Sequence, residues 1–409
     1  MNSIFKEEYV VAVVFLHPFG RSPGSFVRVE ELARSLGSYG VRSFVFSPFE
    51  NIVLTNTSDG LRPFSMLGLI SPLPIYYDIA RRAYYSPIFK QLNIFAGLAG
   101  KFSTGFTKAV CRFLERNRLK VALVQAEQDF GVALGASLAS SLKVPLVVDV
   151  HNITIEELAA EGIIRRNTGE FNKFVELEAQ QLSLADRVIV VSPEMKKYVE
   201  DMLMVCSSDV ACVPPGGRIL ERQKTMEERD SRVVYAGSLN KREHVGLYFE
   251  AARTLAYQRP DLKFLASFRK TRLFLRHPLR GEAVTPFWVS SRSEFFQFLG
   301  SSLVGAVPSR QDFARMMGPP VKLFDYASAG LPVVANYIGG WTDTIYEEGI
   351  GFLSQDTVDS FGKSICLLTT DSDAWKKCSE NCVKMVKSKY NWDISGQKLL
   401  QSYKRVWAN

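Results

Sequence analysis

Pro319-Pro320-Val321-Lys322-Leu323-Phe324-Asp325-Tyr326-Ala327-Ser328-Ala329-Gly330-Leu331-Pro332-Val333-Val334 is the stretch on which the fold turns. Two prolines suit the opening of a helix, where a missing N–H costs nothing, and Gly330 suits its end. Pro332 then leads into the apolar run LPVVAN (331–336), which reads as a buried strand. Lys322 and Asp325 are three residues apart and share a helix face near its N-terminus. A lysine there can neutralise a phosphate, and a carboxylate can accept hydrogen bonds from both hydroxyls of a ribose. On spacing alone, a surface ion pair between the two is the competing reading.

The same rhythm continues upstream. RVVYAG (232–237), a helix through Leu247–Leu255, LKFLAS (262–267), a helix near 293–299 and SLVGAV (302–307) alternate before it. Nearer the N-terminus, Tyr9–Leu16, VRSFVF (41–46), VALVQA (121–126), VPLVVDV (144–150) and RVIVV (187–191) read as strands. Helical segments at 26–36, 136–142, 174–185 and 193–203 fall between them. Strands apolar on both faces and separated by helices imply an α/β fold with parallel sheets covered on each side. The rhythm breaks at Val213-Pro214-Pro215-Gly216-Gly217 and restarts after a polar stretch. A chain of 409 residues suits two domains. They are placed at 1–215 and 216–390, with a last helix at 391–409 returning to the first domain. Two such units imply a cleft between them, and open parallel sheets bind ligands beyond the carboxyl ends of their strands.

Composition narrows the class. The 46% hydrophobic fraction excludes wholesale disorder. No run approaches a membrane span, and Glu7, Glu8, His17 and Pro18 flank the first apolar run too closely for a signal peptide. Six Cys without zinc spacing and four scattered His imply a reducing, cytoplasmic setting and no metal site. The net charge of +8 is concentrated: residues 62–120 hold ten basic side chains and two acids, while the other 350 residues balance at 40 against 40. A field of one sign implies an anionic partner surface.

In the first domain, His17-Pro18-Phe19-Gly20-Arg21-Ser22-Pro23-Gly24-Ser25 joins the first strand to a helix, a context in which backbone N–H groups can meet an anion. The dinucleotide fingerprint G-x-G-x-x-G is absent, which argues against a nicotinamide or flavin enzyme. Asp149-Val150-His151-Asn152 closes a buried strand and so faces the ligand side of its sheet.

Taken together, these segments resemble retaining GT-B glycosyltransferases of the "glycosyl transferases group 1", family 4-like, type. Residues 319–340, ending Asn336-Tyr337-Ile338-Gly339-Gly340, look like that family's donor segment, a Lys and a carboxylate followed by a Gly-rich loop. Pro23-Gly24 with Glu31-Leu32-Ala33, Asp149-x-His151, Ala185–Ser192, Val213–Gly217, Tyr235–Leu239 and Tyr390-x-Trp392 match further motifs in order. The resemblance implies two Rossmann-like domains facing a central cleft and a metal-independent hexosyltransferase. It would move a sugar from a UDP- or GDP-linked donor to a lipid-linked or polysaccharide acceptor, with retention and no other cofactor. It implies catalytic roles for His151, Lys322 and Asp325. It implies donor contacts from Gly24, Gly237, Ser238, Lys241, Arg242, Lys322, Leu323, Asp325, Gly339 and Gly340. Three departures stand out. Ser238 and Glu243 occupy places where the family often has Arg and Lys, Met317 stands where it has a first acid, and Asp325 replaces the usual Glu. Lys241, Arg242 and Arg315 are the candidate substitutes for the missing charges. The competing class is a catalytically degenerate GT-B protein that binds a glycan or partner; an epimerase or phosphorylase-like enzyme fits the motif order less well.

Residues 62–107 carry prolines and many aromatics and read as short helices in an insertion of the acceptor domain. With Arg81, Arg82, Lys90 and Lys101, the 62–120 window suits docking on an anionic membrane surface at the cytoplasmic face. The alternative is that its aromatics are core and its charges rim it. No nucleic-acid module is present. A second basic cluster, Arg269, Lys270, Arg272, Arg276 and Arg280, reads as a solvated face.

Overall fold

The computed structural model describes residues 9–407 apart from 16, 18–22, 59, 67–92, 129, 222, 239–242, 268–282 and 290. The chain divides into two compact units. One comprises Met1–Thr154, Asn167–Val213 and Ser395–Asn409; the other comprises Ile155–Arg166 and Pro214–Ile394.

The first unit is built on eight strands: β1 (Tyr9–Val14), β2 (Arg42–Phe46), β3 (Ile52–Thr57), β4 (Gly60–Met66), β5 (Lys120–Glu127), β6 (Leu146–Val150), β7 (Arg187–Val190) and β8 (Val210–Cys212). Their spatial order is β4-β3-β2-β1-β5-β6-β7-β8. From β2 to β8 every neighbour pair is parallel, whereas β2, β3 and β4 pair antiparallel at one edge. Runs such as Val10–Phe15 and Leu146–Val150 are buried along their whole length, as strands covered on both faces require. The order turns back between β1 and β5, the point where such sheets open a crevice at their carboxyl ends.

Two motifs act structurally here. Asp186 Oδ2 accepts the Leu146 N–H at 2.7 Å, tying the start of β6 to the turn before β7. Ser192 Oγ caps the helix Pro193–Asp201 by accepting the Met195 N–H at 3.0 Å, with proline at the first helical position. The last helix, Trp392–Trp407, is shared by the two units, and its residues from Ser395 pack in the first, where Tyr403 bonds Gln125.

The aromatic, basic window departs from its sequence reading. Where short helices are expected, a single 24-residue helix runs over Asn93–Arg116. Phe106, Val110, Phe113 and Leu114 recur on one face of it and are buried in the core, while Lys108, Arg112 and Arg116 are exposed. This part of the window is therefore a core helix with a charged outer face, because its apolar residues keep a helical period. Arg81, Arg82 and Lys90 lie outside the described residues. Lys101 lies on the helix. Among the described residues no helix is long and apolar enough to cross a membrane.

The second unit holds β9 (Arg232–Tyr235), β10 (Lys263–Ser267), β11 (Val284–Phe287), β12 (Val304–Val307), β13 (Val333–Asn336) and β14 (Gly351–Ser354). All are parallel, in the order β11-β10-β9-β12-β13-β14. Valines of β9, β12 and β13 are fully buried between helices on both faces. Val213–Gly217 enters this unit alongside the end of the helix Ser372–Ser388: the Gly217 N–H donates to Tyr390 O at 2.8 Å. Arg229, its guanidinium pulled down to about 10 by burial, donates to the carbonyls of Ser302 and Ala329 and braces the turn at Gly330. The segment Ile155–Arg166 groups with this unit rather than with the first domain proposed from sequence; there the Arg166 guanidinium lies over the Phe313 ring at 4.3 Å.

Candidate functional site

The order of the second sheet reverses between β9 and β12, so ligands are expected beyond the ends of these two strands. Three segments meet there. β9 runs into Ala236-Gly237-Ser238, β12 runs into Ser309, and the helix Val321–Ser328 follows the short helix Phe313–Met317. Tyr326 binds them together. Its hydroxyl accepts the Ala236 N–H at 2.6 Å and lies 3.2 Å from Val234 O and 3.3 Å from Ala306 O.

Lys322 and Asp325 do not form the ion pair that their spacing allows; each pairs elsewhere. Lys322 Nζ donates to Glu243 Oε2 at 2.6 Å and sits 4.7 Å from the centre of the Tyr235 ring. Arg315 donates to the other oxygen of the same carboxylate. Asp325 is buried, and Arg292 grips it from the start of the helix Arg292–Gly300. Burial favours the protonated form of Glu243, but Lys322 and Arg315 outweigh it and hold the carboxyl below its ordinary value. Burial lowers the Lys322 ammonium, with Glu243 opposing. Three cations, two carboxylates and two buried tyrosines thus gather near the carboxyl ends of β9 and β12.

The glycines have distinct tasks. A Cβ on Gly237 would lie 2.5 Å from Lys322 Nζ and 2.5 Å from Tyr235 Oη, so only glycine admits the lysine here. Gly340 has φ +59°, and a Cβ on it would lie 2.1 Å from Met316 O. The loop Gly339-Gly340 therefore packs on the segment that carries Arg315, and Trp341 Nε1 donates to Arg315 O at 2.8 Å. Ser238 is exposed and accepts the Tyr235 hydroxyl at its carbonyl, 2.6 Å away. Leu323, expected as a donor contact, is wholly buried in the hydrophobic core, since its helix turns that face inward. Lys241 and Arg242 lie outside the described residues, as does the cluster 269–280. Met317, in place of an acid, is also buried.

The sequence reading missed Arg292 altogether. The available signal is Ser291-x-x-Glu294, a capping box that starts a helix directly after an edge strand. Ser291 Oγ accepts the Glu294 N–H at 3.1 Å, which places Arg292 at the first helical position.

The first unit has its own polar cluster at the ends of β1, β5 and β6. His151 Nε2 lies 3.0 Å from Ser25 Oγ and 3.7 Å from Glu127 Oε1, and the His151 N–H donates to Gln128 Oε1 at 3.2 Å. Burial holds the imidazole down to about 4, Asp149 pulling it up and Arg28 reinforcing burial, so the ring is neutral at pH 7. Asp149 is bound by Arg28 Nε at 2.9 Å and Nη2 at 3.0 Å, both residues almost fully buried. Asp149 thus anchors the helix Pro23–Ser38 and leaves His151 as the strand-end group. Gly24 lies in the first turn of that helix, exposed, with open space around it.

Residues 24–217 match the family model described as Glycosyltransferase Family 4. A search of curated proteins finds no match. Solved structures similar to the chain include sucrose-phosphate synthase from Thermosynechococcus elongatus, with TM-score 0.71, 16% identity, 98% of this chain and 99% of that one. They include an α,α-trehalose-phosphate synthase (UDP-forming) from Burkholderia vietnamiensis, at 0.63, 11%, 97% and 100%. Anabaena HepE in complex with UDP and glucose matches at 0.60, 13%, 96% and 99%. At these identities the likeness is one of fold. The chain carries the two Rossmann-like units of the GT-B class and is similar to GT-B glycosyltransferases over nearly its whole length.

Proposed function

We propose that this chain, with a Family 4 match over residues 24–217 and the GT-B fold throughout, transfers a sugar from a UDP- or GDP-linked donor to a lipid-linked or polysaccharide acceptor, with retention. One observation carries the reading. Lys322 and Arg315 are drawn together at the strand-end crevice of the second unit, one helical turn from a buried Asp325. In this reading Asp325 accepts the ribose hydroxyls, and the two cations meet the diphosphate, stabilising the charge that develops as it leaves. Positive side chains do this work in place of a metal ion. His151, uncharged, contacts the transferred sugar. The UDP held by HepE and the UDP-forming activity named for the trehalose-phosphate synthase favour a uridine donor.

The exposed Lys108, Arg112 and Arg116 support docking of the first unit on the anionic cytoplasmic face of a membrane. Co-sedimentation with anionic vesicles tests that part, and absence of binding at low salt removes it.

Isothermal titration with UDP, GDP and ADP tests the donor site. The reading fails if none binds and Asp325→Ala leaves donor hydrolysis unchanged. The placement of Glu243 between the two cations favours a second reading, a glycan- or partner-binding protein without turnover. Measurable sugar transfer excludes it.

A further inference from the structure

Glu243 puts a negative charge where a diphosphate would find two cations. Its two oxygens are both taken, Oε1 by Arg315 and Oε2 by Lys322, and its side chain is only 8% exposed. The backbone fixes it too, since Glu243 forms an isolated antiparallel bridge with Ser309, just beyond β12. The two cations come from one stretch of the chain, 72 and 79 residues from Glu243. Lys322 is confined further by Gly237 beneath it and by the Tyr235 ring.

This arrangement has two physical consequences. Two largely buried cations beside each other repel and are costly to desolvate unless an anion joins them. The same anion repels any diphosphate that approaches them. Resting on the donor-site reading above, we propose that Glu243 is a positioning residue that competes with the donor's diphosphate. It holds Lys322 and Arg315 ready, and it yields their hydrogen bonds when a nucleoside diphosphate binds. The carboxylate then re-forms its ion pairs as the diphosphate departs, which favours product release. An ordinary structural ion pair would affect folding and leave the discrimination between diphosphate and nucleoside untouched.

The test is titration calorimetry on the full chain and on Glu243→Gln. The probes are UDP, GDP and ADP, the matching nucleosides and inorganic pyrophosphate. Glu243→Gln is expected to bind the preferred nucleoside diphosphate and pyrophosphate about tenfold more tightly, with nucleoside binding unchanged and the gain shrinking as salt is raised. Unchanged or weaker diphosphate binding by the folded variant overturns the proposal. Should the Gln variant not fold, by circular dichroism, Glu243→Asp replaces it. The shorter side chain keeps the charge but cannot span both cations, so one of the two hydrogen bonds that the diphosphate must displace is already gone and a gain of about twofold or more is expected; no gain overturns the proposal. If neither wild type nor variant binds any nucleoside diphosphate, the donor-site reading falls and this proposal with it. Wild-type binding with no change in the variant removes this proposal alone.

Discussion

Arg292 holds both oxygens of the Asp325 carboxylate, Nη2 to Oδ1 at 2.9 Å and Nη1 to Oδ2 at 3.2 Å. The carboxylate is buried, and the guanidinium is a quarter exposed. A planar fork on a planar carboxylate fixes the acid's orientation better than a single bond. The plane of the acid is therefore fixed, and each oxygen keeps one further lone pair for an incoming hydroxyl donor.

It follows that Arg292→Ala and Asp325→Asn should be strongly coupled. Each alone is expected to weaken UDP binding, by about tenfold for Asp325→Asn. A double-mutant cycle should give about 1–2 kcal/mol of interaction energy. Additive effects in calorimetry would show that Arg292 does not orient the acid.

The strands of both sheets were legible because burial on two faces writes itself as unbroken Val-rich runs, such as those of β1, β6 and β13. The edges were not. β3 and β4 read as polar or proline-bearing segments, IVLTNT and GLRPFSM, since an edge hairpin has one face in water. β11 carries Pro286, which an edge strand tolerates. The helix Asn93–Arg116 was hidden because the charge of its outer face drew attention from the period of Phe106, Val110, Phe113 and Leu114. Lys322 and Asp325 stood out as a local pair. Their true partners, Glu243 and Arg292, lie 79 and 33 residues away, a separation at which side-chain pairing leaves no pattern in one sequence. Glu243 reads as a missing cation, whereas in the structure it is the anion that joins Lys322 and Arg315.

Arg28 and Asp149 form a second forked pair, 3% and 1% exposed. Removing one partner of such a buried pair leaves a charge without compensation, at a cost of about 3–5 kcal/mol. Arg28→Met should therefore destabilise the first unit by that order, read as faster hydrogen exchange of the β6 amides, while exchange in β9 and β12 stays unchanged. Equal protection in variant and wild type would show the pair to be energetically idle.

His151 gives the first unit a pH dependence of definite sign. Its folded value, about 4, lies below the ordinary value of 6.5. Between these two values the unfolded chain takes up a proton that the folded chain refuses. Stability is thus full above about pH 6.5 and falls as pH drops toward about 4, by on the order of 3 kcal/mol. His151→Gln should flatten this part of the profile. Urea unfolding followed at pH 7.5 and pH 4.5 checks it; an identical loss in the variant would assign the slope to other groups.

Gly340 and Gly24 should differ in what an added methyl costs. A methyl on Gly340 meets Met316 O at 2.1 Å and sits on a backbone with φ +59°, so the backbone next to Arg315 must shift. Left-handed strain and a backbone clash together are expected to cost about 2–4 kcal/mol. Displacing the Trp341 bond to Arg315 O should also weaken diphosphate binding. A methyl on Gly24 meets nothing within 4 Å, so Gly24→Ala should leave stability within about 0.5 kcal/mol of wild type. Unchanged stability is the expected outcome for Gly24; for Gly340 stability and diphosphate affinity should both fall. Loss of stability in Gly24→Ala, or retention of it in Gly340→Ala, would reverse these assignments.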